Sequence, residues 1–120
     1  MDFDAAIKAH ANWRLRLFGY CTGKSREKLD VRSIEKDNVC DLGKWLHGEG
    51  KRYQSDAIFP KLIAAHAAFH QSAASVAALV DQGQRSAAQE MLESPASEFG
   101  KRSVEVVGYL SQLKRLYPHN

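Results

Sequence analysis

Two histidines, His66 and His70, stand four residues apart in an apolar stretch rich in alanine. Residues 59–80 contain no glycine and no proline after Pro60, so the sequence predicts a helix there. Four residues are about one helical turn, which places both imidazoles on the same face of that helix. Imidazoles so placed can bind one metal ion together, although a packed or solvated histidine pair explains the spacing about as well.

A third histidine, His10, lies on the apolar face of a helix predicted over residues 2–18. Asp2 or Asp4 can cap the start of this helix. A single histidine on such a face is more often a packed core residue than a ligand. The apolar face repeats in steps of three and four, at Phe3, Ala6, Trp13 and Leu17.

Cys40 lies in a short helix predicted from about residue 37 to residue 47 and ended by Gly48 and Gly50. Asp37 or Asn38 is the expected N-cap, which places Cys40 in the first turn. A helix N-terminus favours negative charge, so the thiol is expected to ionise there.

The same short helix turns an apolar face inward, and it contains a glycine. Gly43 costs about 1 kcal/mol relative to alanine inside a helix, which suggests that another helix approaches closely. The expected inward residues of the segment are Val39, Leu42, Trp45 and Leu46.

The inward polar residues of the three segments are His10, Cys40, His66 and His70. Three imidazoles and one thiol make a full tetrahedral ligand set for zinc. Four protein ligands leave no open position for substrate, so such an ion would be structural or regulatory rather than catalytic. Thiolate and imidazole together suit zinc or copper better than calcium or magnesium.

The second half of the chain is expected to consist of the long helix already described and a last helical segment with one break. The long helix of residues 59–80 is expected to begin near Ser55 or Asp56 and to end before Gln82 and Gly83. A last segment, from about 84 to 117, is expected to break or kink at Pro95. After Pro95 its apolar face repeats at Phe99, Ser103, Val106, Leu110, Leu113 and Tyr117.

Composition predicts one folded domain over residues 1–120. The chain is 44% hydrophobic and 26% charged, which is typical of a globular protein. Its net charge of +3 is not gathered into a basic stripe with aromatic residues, which argues against nucleic acid as a partner. No apolar run reaches about 18 residues, so we expect a cytoplasmic protein with no membrane span and with Cys21 and Cys40 reduced.

Three motifs resemble the chemoreceptor zinc-binding domain family of bacterial chemoreceptors and diguanylate cyclases. The first runs from Ala9 and His10 to Trp13, and the second is Cys40-Asp-Leu-Gly-Lys-Trp45. The third contains His66 and His70. The resemblance implies that His10, Cys40, His66 and His70 bind zinc.

The resemblance also implies an architecture and a role. It implies an all-α fold, an antiparallel four-helix bundle with an additional short helix carrying the cysteine, and a homodimer. We expect the first helix to form the dimer contact, because Leu15 and Phe18 lie off its inward face. Such domains sense zinc or oxidants, with Cys40 as the redox switch. They are not enzymes, and they control a chemoreceptor or cyclase signalling domain in the same chain or in another.

His47 and His119 match no ligand position and are expected to be exposed. Packing around the site is expected from Trp13, Leu42, Gly43, Trp45 and Phe69.

Three other functions are compatible with a small helical protein. A hemerythrin-like di-iron oxygen binder would need inward carboxylates, and the predicted inward faces carry none at ligand spacing. A zinc hydrolase would need a His-Glu-x-x-His motif or an inward general base, and neither is present. A helical bundle without zinc is the third alternative.

Overall fold

The computed structural model describes residues 1–118, and every regular element in this part of the chain is helical, as predicted. The single 3₁₀ helix of the described residues is Glu49–Tyr53. The α-helices in chain order are α1 (Phe3–Thr22), α2 (Val31–Ile34), α3 (Asp41–Leu46), α4 (Ile58–Asp81), α5 (Arg85–Glu93) and α6 (Glu98–Leu116).

Helix α1 begins where the sequence predicts and runs one turn further. The carboxylate of Asp2 caps it by accepting a hydrogen bond from the Ala5 N–H at 2.7 Å. Cys21, one turn after Leu17, continues the buried face beyond the predicted end at Phe18. The helix stops at Gly23, whose φ of 74° is a left-handed conformation that glycine adopts without strain.

Helix α4 is the central element of the fold. It packs against α1, α2, α5 and α6, and its predicted inward face is buried. It begins at Ile58, slightly later than predicted, because the Asp56 carboxylate accepts the Ile58 N–H at 2.9 Å and holds the chain in a turn. His70, expected at the edge of the inward face, is fully buried, with 0% of its surface exposed.

One helix among the described residues is long and apolar enough to cross a membrane by length and composition alone, and it is α4. This differs from the expectation that no such stretch exists. Half of its most apolar 18-residue window is buried inside the structure. A core helix of a folded domain passes the same test, and α4 carries that core together with two buried histidines.

The predicted break in the last segment lies between α5 and α6, at residues 94–97. Pro95 lies in this break, and Ser97 caps α6 by accepting the Gly100 N–H at 3.0 Å. Helix α6 then packs against both α1 and α4, so the core lies between these three long helices. Its buried face consists of Phe99, Val106, Leu110 and Leu113.

Gly43 is the point at which α3 meets the chain that precedes it. A Cβ atom at this position would lie 1.9 Å from the carbonyl oxygen of Asp37, so no side chain fits. The sequence predicted a close approach here, but by another helix. The structure shows instead that the turn before α3 folds back onto its first turn.

Candidate metal centre

His66 and His70 bring their Nε2 atoms to within 3.0 Å of each other. Their spacing on α4 places the two rings next to each other and nearly perpendicular, with ring centroids 4.5 Å apart and planes at 80°. Both side chains are buried, with 1% and 0% of their surface exposed. Two nitrogen atoms this close can share one proton or direct both lone pairs at one ion.

The Cys40 sulfur lies against the same pair. Its Sγ is 3.5 Å from Nε2 of His66 and 3.3 Å from Nε2 of His70. Cys40 is the N-cap of α3, and its sulfur accepts the Gly43 N–H at 3.2 Å. The expected cap at Asp37 or Asn38 is therefore wrong, because the thiol itself reaches the free N–H group of the first turn.

These three donor atoms have the spacing of one face of a zinc tetrahedron. Ordinary bond lengths around zinc separate neighbouring nitrogens by about 3.3 Å and a nitrogen from a sulfur by about 3.5 Å. The observed separations of 3.0, 3.3 and 3.5 Å require only small shifts to reach that geometry. Donor types and distances therefore both fit a zinc ion held by Cys40, His66 and His70.

His10 lies near this group but is not a member of it. Its ring is buried, packs on Phe69 with centroids 4.3 Å apart, and places Nε2 at 2.9 Å from the hydroxyl of Ser103. Its Nδ1 is buried and has no hydrogen-bond partner among the described residues. The structure thus brings three of the four predicted ligands together, and His10 as the fourth stays a prediction.

Sequence reasoning missed a backbone group that orients one of the donors. The Nδ1 of His70 lies 2.8 Å from the carbonyl oxygen of Ile34, at the end of α2. An N–H donated from Nδ1 to this carbonyl leaves the Nε2 lone pair free, and metal-binding histidines are usually oriented in this way. Because every residue has a backbone carbonyl, no residue type in the sequence could have indicated this contact.

Burial keeps the imidazoles neutral. It is the main cause that lowers the pKa of His10 to about 4 and that of His66 to about 3, with repulsion from neighbouring imidazoles adding to the effect. Burial also lowers the pKa of His70, although its bond to Ile34 works in the opposite direction. Near neutral pH all three rings therefore carry the lone pair that a metal needs.

The sequence predicts that the helix start favours an ionised Cys40 thiol, but the surroundings of the sulfur favour the neutral form. Burial raises its pKa, and this effect outweighs the bonds from the backbone N–H groups of Gly43 and Leu42 and from the Trp13 side chain, which lower it. The nearby Asp41 carboxylate raises the pKa further. A cation bound at the sulfur would supply the charge that favours the thiolate.

The residues predicted to pack around the site fall into two groups. Trp13 and Phe69 touch it directly, because their rings lie 5.4 and 5.6 Å from the His70 ring, nearly edge to face. Trp45 instead packs on Phe3, with centroids 5.6 Å apart, and so connects α3 to α1. Leu42 is buried, and Gly43 bonds the Cys40 sulfur.

A cavity of about 420 Å³ reaches the donor group. Its lining includes His10, Cys40 and His66, together with the charged side chains of Arg16 and Lys28. Cys40 is half-buried along this cavity, whereas Cys21 is only 2% exposed. A small molecule in the cavity would meet the Cys40 sulfur.

The sequence predicts no ligand role for the other two histidines. His47 is exposed, as expected, and its Nε2 lies 3.7 Å from the carboxylate of Asp37. His119 lies outside the described residues.

Comparison with protein families agrees with this geometry. The model of the chemoreceptor zinc-binding domain matches residues 10–77, which run from His10 through Cys40, His66 and His70 and cover more than half of the chain. The comparisons with curated proteins and with solved structures yield no match. The buried group of one thiol and two imidazoles has the spacing of a zinc site and lies within the matched residues. The chain therefore belongs to the chemoreceptor zinc-binding domain family.

Proposed function

We propose that this protein is a bacterial regulatory domain that binds one zinc ion through His10, Cys40, His66 and His70. The observation that carries the proposal is the triangle of donor atoms formed by Cys40, His66 and His70. Its family is a regulatory zinc-binding family rather than a catalytic one. A hemerythrin-like function has no support, since the donor group formed by the described residues contains no carboxylate.

Zinc at this site would connect separate parts of the fold. The ion stabilises the thiolate and joins α4, which carries two imidazoles, to the short segment around Cys40 and to α1 through His10. Helices α2 and α3 are too short to be stable alone, so their position depends on such contacts. Loss of the ion frees this segment, which makes it the movable element of a sensor.

Cys40 is the proposed oxidant switch. A zinc-bound thiolate is the form that oxidants attack, and hypochlorous acid is a suitable probe. In the net reaction the thiolate sulfur gains one oxygen to become a sulfenic acid, and hypochlorous acid is reduced to chloride. The product carries no full negative charge, so it binds zinc less well and releases the Cys40 segment. The cavity beside Cys40 supports access by so small an oxidant.

We also propose a signalling output, a cellular location and an oligomeric state for this domain. The domain comprises residues 1–120 and acts in the cytoplasm, as a homodimer, on a chemoreceptor or diguanylate cyclase signalling domain in the same chain or in another. This output is chemotaxis or the synthesis of cyclic di-GMP. We further propose that α1, α4, α5 and α6 form an antiparallel four-helix bundle, a reading supported by the packing of α4 against the other three.

Metal analysis of protein purified without added metal tests the proposed site. We expect one zinc per chain, and replacement by cobalt should give the absorption bands of a tetrahedral site with a thiolate ligand. Cys40→Ser and His66→Asn should lose most of the metal, whereas His47→Asn, a change at an exposed histidine, should keep it. Two irons per chain, or no metal in the wild type, would refute the proposal.

Mapping of oxidation sites tests the switch separately. The zinc-loaded protein is treated with limiting hypochlorous acid, and modified residues are identified by mass spectrometry while released zinc is measured with a chelating dye. We expect Cys40 to be modified first, with zinc release in proportion. Cys21 is the internal control, because it is buried and burial raises the pKa of its thiol. Modification of Cys21 first, with zinc retained, would rule out the switch.

A further inference from the structure

Ser103 on α6 makes the longest-range polar contact with a proposed ligand. Its hydroxyl lies 2.9 Å from Nε2 of His10, a residue 93 positions earlier in the chain. Ser103 is outside residues 10–77, so the family match assigns it no role. The contact connects α6 directly to the first proposed zinc ligand.

The two nitrogens of the His10 ring have different surroundings. A neutral imidazole has one N–H and one lone pair, and a serine hydroxyl can serve either. Because Nδ1 of His10 is buried without a partner, an N–H placed there would be an unsatisfied buried donor, which is rare in proteins. The favoured arrangement places the N–H on Nε2, donated to the Ser103 hydroxyl, and leaves the lone pair on Nδ1.

At His70 one ring nitrogen likewise contacts an outer partner, but there it is Nδ1 rather than Nε2. There Nδ1 faces the carbonyl oxygen of Ile34, and Nε2 faces the donor group. An outer partner that fixes the tautomer and direction of a metal-binding ring is the usual arrangement at zinc sites. Ser103 contacts the His10 nitrogen opposite the unpartnered one, just as the Ile34 carbonyl contacts the His70 nitrogen opposite the one that faces the donor group.

We infer that Ser103 is the positioning residue of His10, holding its Nε2–H so that Nδ1 is the atom offered to the metal. The inference rests on the zinc site proposed above and deepens it. His10 lies outside the group of three donor residues, so binding of the ion draws its ring toward Cys40. Because Ser103 belongs to α6 and is hydrogen-bonded to the His10 ring, α6 shifts together with that ring when the ion binds.

Nuclear magnetic resonance of ¹⁵N-labelled histidine rings tests the tautomer without any metal. In metal-free wild type we expect the proton of His10 on Nε2, and Ser103→Ala should lose this fixed tautomer. In zinc-loaded wild type the shift caused by the metal should appear on Nδ1 of His10 and on Nε2 of His70. A metal shift on Nε2 of His10 would overturn the inference.

Zinc affinity, measured by competition with a chelator, is the second readout. Loss of an outer-shell partner commonly weakens metal binding by about 10- to 100-fold, and we expect Ser103→Ala to fall in that range. Ser103→Thr keeps the hydroxyl and should restore binding. Ser111→Ala, at another partly buried serine of α6, is the matched control and should bind as the wild type does.

The outcomes separate this inference from the proposed function. If the wild type binds zinc and Ser103→Ala binds it equally well, the positioning role is wrong and the zinc site stands. If the wild type binds no zinc, the proposed function fails, and the tautomer in metal-free protein still decides whether Ser103 orients His10. Equal weakening in Ser103→Ala and Ser103→Thr would also overturn the role, since only a packing defect affects both alike.

Discussion

Gly43 shows how a single missing side chain lets the cysteine ligand reach its position. The carbonyl oxygen of Asp37 occupies the space that a Cβ atom would need, so the turn before α3 can close tightly. In this closed turn the Gly43 N–H also bonds the Cys40 sulfur. One residue thus sets both the path of the chain and a donor to the thiol.

Replacement of Gly43 by alanine should therefore be costly. The methyl group collides with backbone, which cannot rotate away, so we expect a loss of at least about 1–3 kcal/mol in the free energy of unfolding together with weaker zinc binding. Urea unfolding and chelator competition measure the two effects. Gly108→Ala is the control, since nothing lies within 4 Å of the new methyl and alanine favours a helix by up to about 1 kcal/mol. Equal stability of the two variants would contradict this account.

The lowered histidine pKa values predict an acid-sensitive metal-free protein. The folded-state pKa is about 4 for His10 and about 3 for His66, whereas a histidine in the unfolded chain has a pKa of about 6.5. Below about pH 6.5 the unfolded chain binds protons that the folded protein does not, so stability falls with decreasing pH. Urea unfolding in chelator should give a constant free energy of unfolding between about pH 7 and 8 and a steady decline from about pH 6.5 to 5. A flat profile across this window would contradict the buried, neutral state of the rings.

At the scale of elements, residues 31–53 are the part of the fold that depends on the site. This segment consists of α2, α3 and a 3₁₀ helix, none longer than six residues. Helices this short are not stable alone. Their contacts with α4 include the bond from His70 to Ile34 and the approach of the Cys40 sulfur to both histidines.

Zinc removal should loosen this segment before the rest of the chain. Structural zinc contributes on the order of 10 kcal/mol in small domains, but α1, α4 and α6 share an apolar core that does not depend on the ion. A strong chelator should therefore lower the melting temperature while the helical circular dichroism signal persists at room temperature. Hydrogen exchange should rise first in residues 31–53, with α4 as the internal reference. Uniform loss of the helical signal on chelation would show that the core needs zinc to fold.

At the scale of the whole molecule, α1 offers a surface for the proposed homodimer. Leu15 and Phe18 lie three residues apart on the outer side of this helix and are 70% and 38% exposed. Residues at this spacing share one face of a helix. Two apolar side chains on an outer face suit a symmetric contact between two copies of α1.

A charge on this face should therefore separate the copies. We expect sedimentation of the wild type to show a mass that rises toward the dimer with concentration, and Leu15→Glu to shift it toward the monomer. Val104→Glu alters a residue of α6 that is 68% exposed and is the matched control. A monomer mass that does not change with concentration would refute the homodimer. A dimer weakened only by Val104→Glu would place the contact on α6.

The sequence by itself did not predict α2 or the 3₁₀ helix, but it determined the longer helices, the short helix at Cys40, the break at Pro95 and the residue types of the candidate ligands. These are local properties, because helix periodicity, capping and proline chemistry act within a few residues. The boundaries and caps were less predictable, and Cys40 replaced Asp37 and Asn38 as the N-cap because only the folded turn brings its sulfur to the Gly43 N–H. Local patterns also placed His66 and His70 together, since one helix carries both.

Only the tertiary structure decided which donors meet. Cys40 reaches the histidines across 26 and 30 residues, and His10 finds Ser103 across 93, so these contacts depend on how whole helices pack. The periodic pattern assigned His10 the same inward side as the other ligands, but an inward side does not specify which neighbour a ring faces. The Ile34 carbonyl could not be predicted at all, because a backbone group becomes a specific partner only when packing aims it at one side chain.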